Sequence, residues 1–307
     1  MPAPDSRFAA VRDHVAPRPP PDAAVDRVVY GLTQPLLGLR ILVTHRRLVE
    51  AALVPAGLLA AFCAVIALLG HRGDFLHRFY TTFAVLAPLP SIVLASHYAR
   101  FAVEARHALG FSRAEPCIEP LRRVFKRAVK QAVLIAVALA PITGLLHLVP
   151  GIGWLLVQAA AAGWALHWVV VEAFDSARIL HPGETLAELD AAAERMRSPW
   201  YVRGLRHAAE RVPIGGRLVR RFARFCDRLS LPWREEIALV EDHPALMIGF
   251  ALSTAALLAV PILNLAFRPI AIIGACHVLG QLDAAAAARA PSTSEPAASA
   301  GPRPARG

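Results

Sequence analysis

Apolar positions in this chain gather into runs longer than a soluble helix needs. Residues 51–70, AALVPAGLLAAFCAVIALLG, carry no charged side chain. About 20 residues at 1.5 Å rise cross a 30 Å hydrocarbon core, so this run predicts a complete transmembrane helix. A second run at 79–96, FYTTFAVLAPLPSIVLAS, is nearly as long and holds Pro88 and Pro90. Those prolines kink a membrane helix without excluding it where neighbours satisfy the freed carbonyls. Two pairs of shorter runs follow: 132–146 with 152–171, joined by HLVPGIG, and 245–260 with 270–279, joined by the stretch around Asn264. A half-helix of about 14 residues reaches only about 21 Å. Each pair therefore predicts either thinned spans or a hairpin that enters from one side and turns back within protein-lined space. The expected fold class is an all-α integral membrane protein with two long transmembrane helices, two short or partly penetrating hairpins and cytoplasmic amphipathic helices.

The polar segments set the orientation. Between the second and third runs lie Arg100, Arg106, Arg113, Arg122, Arg123, Lys126, Arg127 and Lys130. The connection 175–243 is also Arg-rich, and Arg40, Arg46 and Arg47 precede the first run, whereas the turns at 71–78, 149–153 and 261–269 hold at most two arginines each. Lys and Arg collect on the cytoplasmic side, which puts both termini and both long loops there. Residues 1–30 read as a Pro-rich disordered leader without the regions of a secretory signal, 31–283 as one helical membrane domain, and 284–307 as a disordered tail.

A helical insertion is expected at 180–241. Within it TLAELDAAAERMR opens on a capping box, Thr185 with Glu188. In RLVRRFARFCDRLSL, Leu218, Phe222, Phe225, Cys226 and Leu229 share one face, and Arg217, Arg220, Arg221, Arg224 and Arg228 occupy the other. That pattern fits a helix on an anionic leaflet and equally one packed on its own protein.

Composition agrees with the run pattern. The 307 residues are 56% hydrophobic and 18% charged, with mean hydropathy +0.45, too apolar for an ordinary soluble domain. The formal net charge is +10. Its basic residues fall between apolar runs rather than over a folded soluble face, so no nucleic-acid partner is expected.

Reactive chemistry finds little support. The chain has no phosphate loop, dinucleotide fingerprint or HExxH motif. Cys63, Cys117, Cys226 and Cys276 lack metal spacing, and His147, His167 and His277 read as histidines satisfied by neighbouring carbonyls. No enzyme activity, cofactor or metal is expected. What remains is backbone polarity. Glycine lets successive N–H groups converge, so Gly151 and Gly153 in PGIG can face an anion, and the N–H groups of Ile270, Ala271 and Ile272 after Pro269 can do the same. Equally, Pro150 and the set Pro261, Asn264, Arg268 and Pro269 make plain hairpin turns.

The ordered set LVPGIGWLL, VVEAFDSAR and VPILNLAFRPIAIIGA, within 38–280, resembles the CysZ sulfate permeases and the wider etoposide-induced membrane protein superfamily. The resemblance implies a bacterial inner-membrane protein of two long helices and two partly penetrating hairpins, often a homo-oligomer. In the permeases a Pro-Gly turn followed by paired arginines, just before the first span, contacts sulfate. Here VTHRRLVEAALVP keeps Arg46 and Arg47, lacks the Pro-Gly, and places the pair about one turn early. Asp175 falls where the family carries an acidic residue, and Ser176-Ala177 replaces the following Tyr-Pro. The expected function is sulfate-type anion uptake with Arg46, Arg47, Gly151 and Gly153 as anion-binding residues. The alternative is a non-transporting membrane protein whose basic loops dock a protein partner or anionic membrane lipid.

Overall fold

The computed structural model describes residues 17–69, 74–86, 93–111, 115–180, 183–211 and 215–289, with side chains described for all of these except 80, 83–86 and 261–265. The chain is helical: α1 (Ala24–Thr44), α2 (Arg46–Leu69), α3 (Phe75–Leu86), α4 (Ala95–Ala108), α5 (Leu121–His147), α6 (Gly153–Ser176), α7 (Leu186–Arg195), α8 (Trp200–Arg211), α9 (Gly216–Ser230), α10 (Arg234–Asp242), α11 (Pro244–Ala259) and α12 (Pro261–Arg289). A two-residue antiparallel pair, β1 (Glu115–Pro116) and β2 (Ile179–Leu180), joins the approach to α5 to the exit from α6. Among the described residues four helices are long and apolar enough to cross a membrane: α2, α5, α6 and the Ala266–Arg289 part of α12. The chain is thus a helical protein of multi-pass membrane type. The second apolar run lies partly in α3 and partly outside the described residues.

Two expectations about the hairpins change. The legs of the first are not half-helices: α5 has 27 residues and α6 has 24, about 40 and 36 Å. The basic stretch 121–130 is helical as well, and hydropathy alone cut it away from the apolar run. The turn between the legs is tight, with Gly151 at φ +79, a conformation that L side chains rarely adopt. In the second hairpin the break falls at Val260 alone, φ −93 and ψ 115. Pro261 starts α12, where a missing N–H costs nothing, and Pro269 lies inside it, so 261–269 form no turn. The side chain of Asn264 lies outside the described residues.

Helix α1 begins inside the segment read as leader and forms the centre of the main core. Tyr30, Gln34, Leu37, Gly38 and Leu42 are buried along one stripe. It crosses α11 and α12 at glycines. A Cβ on Gly31 would collide with the Leu246 carbonyl, one on Gly249 with that of Val28, and one on Gly38 with that of Ile270. Gln34 and Thr33 on the buried side disguise this helix from a hydropathy reading. Gln34 Oε1 lies 2.7 Å from His277 Nδ1.

A second cluster joins the insertion to the first hairpin: Leu134, Ala138, Trp164 and Trp168 pack with Tyr201, Val202, Cys226, Trp233 and Ile237. Helix α7 opens on the expected capping box, with Thr185 N–H donating to Glu188 Oε2 at 2.8 Å. In α9 the packed line is Ala223, Cys226 and Ser230, with Phe222 and Leu229 beside it. Leu218 and Phe225 do not join that face; they are 72% and 46% exposed. They sit on its edge, and the hydrophobic grouping read from the sequence was one strip too wide.

Candidate functional site

Where the base of the α5–α6 hairpin meets α4, α10 and α12, ionisable side chains converge from segments far apart in sequence. Arg127 on α5 donates to Glu119 at 2.8 Å and to Asp175 on α6 at 2.5 Å, and its guanidinium lies 5.3 Å from the Trp233 ring centroid. Arg123, one turn earlier, reaches Glu119 and Asp190. Just past α6, Arg178 pairs with Glu236 at 2.5 Å and Glu235 at 3.2 Å. One turn before Asp175, Glu172 accepts from Arg268 of α12 at 2.9 Å, and that guanidinium lies 5.8 Å from the Tyr98 ring. Of these, Tyr98, Glu119, Arg127, Glu172, Asp175 and Arg178 line, with Cys117 and Gln131, a cavity of about 90 Å³, large enough for ordered water.

The charges of this network, in and beyond the cavity wall, are spoken for. Arg123, Arg127, Arg178 and Arg268 face Glu119, Glu172, Asp175, Asp190, Glu235 and Glu236, so carboxylates outnumber guanidinium groups. An anion entering here would have to displace a carboxylate from its arginine. Chemically, the arrangement is a clamp that ties five elements together through a low-dielectric network.

The sequence-named residues scatter around this clamp. Arg268, expected at a hairpin apex, is instead 8% exposed and paired. Arg46 and Arg47 are exposed at the start of α2; Arg46 holds Glu50 at 2.7 Å, and Arg47 has no ion pair among the described residues. They lie at the clamp end of the bundle, because His97 Nε2 meets the Ala51 carbonyl at 2.7 Å and its neighbour Tyr98 lines the cavity. Pro150, Gly151 and Gly153 lie at the other end of the α5–α6 hairpin, about 30 Å away along the helices. The arginines and the glycine turn are therefore not brought together.

Arg127, Arg178 and Glu172 were missed. Glu172 had a signal, since it ends the charge-free stretch 131–171. Among the described residues no three His, Cys, Asp or Glu side chains converge on a metal-sized site. His147 Nδ1 meets the Thr143 carbonyl at 2.9 Å, while His277 meets a side-chain amide and His167 stacks on Trp164.

Burial pushes the Cys117 thiol up to about 11, with Arg178 pulling the other way. Two units remove about 99% of the thiolate at neutral pH. N-ethylmaleimide at pH 7.5 should modify Cys117 about 100-fold more slowly in the folded protein than in the denatured chain, and the rate should climb up to pH 11. Rapid modification of Cys117 in the folded protein, read by peptide mass spectrometry, would contradict this placement.

No family model, curated protein or solved structure matches the chain.

Proposed function

We propose that this protein belongs with the CysZ-like permeases it resembles and carries a sulfate-type anion across the bacterial inner membrane. The supporting observation is the start of α2. Two exposed arginines, one of them without an ion pair among the described residues, occupy the first turn of a helix apolar enough to span. A guanidinium pair at the positive end of a helix dipole collects oxyanions. Gly151 then serves the far end of the path with its backbone N–H, whereas the N–H of Gly153, expected to do the same, is taken by the Val149 carbonyl at 3.0 Å. A further reading, that the protein docks rather than transports, draws support from the clamp, whose arginines are all engaged by carboxylates.

The topology proposed with it keeps both termini cytoplasmic and the first hairpin partly penetrating. Helices α8 and α9, with Arg203, Arg206, Arg217, Arg221, Arg224 and Arg228 facing outward, pack as high as Leu134 and Trp164. Charged faces stay out of hydrocarbon. That leaves about 12 residues of each leg to enter, about 18 Å of a 30 Å core. The tip suits this, since Leu145, Leu148, Ile152, Trp154 and Leu155 are exposed and apolar. Copies of the chain assembled around such hairpins would enclose the path.

Radioactive sulfate uptake into liposomes containing the purified protein tests the reading. Uptake well above protein-free liposomes is expected, with the Arg46→Ala, Arg47→Ala pair returning it to background. Background uptake by a folded wild-type protein would sink the permease proposal.

A further inference from the structure

Helix α9 has two working faces, and its own fold uses one. Ala223, Cys226 and Ser230 pack inward. Outward lie Arg217, Arg220, Arg221, Arg224 and Arg228, all exposed and none with an ion-pair partner among the described residues. The acid within this helix, Asp227, is occupied by Arg206 and Arg234 at 2.8 and 2.6 Å. Between the two faces stand Leu218 and Phe225, seven residues apart and thus on one stripe.

From these observations we infer that α9 is a docking surface for anionic phospholipid headgroups. At 100° per residue, the Leu218–Phe225 stripe lies about 120° round the helix from the packed line. With the hairpin rising into the bilayer as proposed above, a stripe turned this far from the packed line is free to meet the membrane surface. Leu218 and Phe225 then enter the headgroup boundary, and the arginines beside them meet phosphate. Five uncompensated positive charges select an anionic leaflet over a zwitterionic one. An acidic protein surface would satisfy the arginines equally well but gives no reason for two large apolar side chains exposed beside them. This inference rests on the hairpin topology proposed above but not on anion uptake.

The full-length protein with Phe225→Cys, labelled with an environment-sensitive fluorophore, is reconstituted in phosphatidylcholine liposomes with or without phosphatidylglycerol, each carrying a trace of doxyl-quencher lipid. Strong quenching is expected with phosphatidylglycerol and weak quenching without it. Each arginine near an anionic surface shifts the partition about fivefold. Changing Arg217, Arg221, Arg224 and Arg228 to Gln should therefore abolish the quenching, and high salt should do the same to the protein that keeps its arginines, with no risk to folding. Equal quenching in both lipids overturns the inference. So does a label that stays unquenched in both, including one shielded only after an acidic protein is added.

Discussion

Replacing Glu172 with alanine should destabilise the protein by about 3 kcal/mol, the cost of leaving a buried arginine without its carboxylate. The Arg268 side chain is 9% exposed and that of Glu172 is 22% exposed. The two single substitutions should therefore differ. Glu172→Ala strands a guanidinium that cannot shed its charge, with the Tyr98 and Phe267 rings beside it and Asp175 left as a more distant counter-charge. Arg268→Met strands a carboxylate that keeps some access to water, a smaller loss. The double replacement by Leu and Met should recover most of the stability, because two apolar side chains of similar volume carry no desolvation cost. Thermal unfolding in detergent gives the three values. Additive losses in the double variant would show that the two side chains are not coupled.

The second large effect concerns backbone proximity. Gly31→Ala is among the smallest substitutions available, yet its methyl group falls on the Leu246 carbonyl, with the Phe250 backbone nitrogen 2.9 Å from the same position. Backbone on both sides cannot rotate away as a side chain would, so α1 and α11 must separate. A loss of about 3 kcal/mol is expected, at the upper end for overpacking. Gly57 in α2 provides the contrast: nothing lies within 4 Å of a Cβ there, and Gly57→Ala should be neutral or raise stability by a few tenths of a kcal/mol. Equal unfolding temperatures for the two variants would contradict the close crossing.

The sequence announced some of this more clearly than the rest. Charge-free runs at 51–70 and 152–171 mark α2 and α6, because expelling charge from lipid is a constraint that each segment satisfies by itself. Helix α1 escaped notice because its buried stripe holds Gln34, Thr33 and two glycines, residues chosen for a partner helix that hydropathy does not see. The clamp escaped for a related reason. Arg127 with Asp175, Arg178 with Glu236 and Arg268 with Glu172 pair across long separations, and a single chain gives no sign of which charges meet. Asp175 entered through family resemblance alone. The turn at Val260 was misplaced because Pro261 and Pro269 look like brackets, although the first is a helix start and the second is tolerated within one.

The β1–β2 pair and the Arg127 ion pairs fasten the α5–α6 hairpin at its base, while its apolar tip stands exposed some 30 Å away. Such an element is a lever. Rocking by 5° about the fastened end carries the tip through about 2.5 Å, the scale on which packed helices shift between states. Whatever loosens the base, whether protonation of a clamp carboxylate or a pull on α9, is thereby read out as movement of the apolar tip.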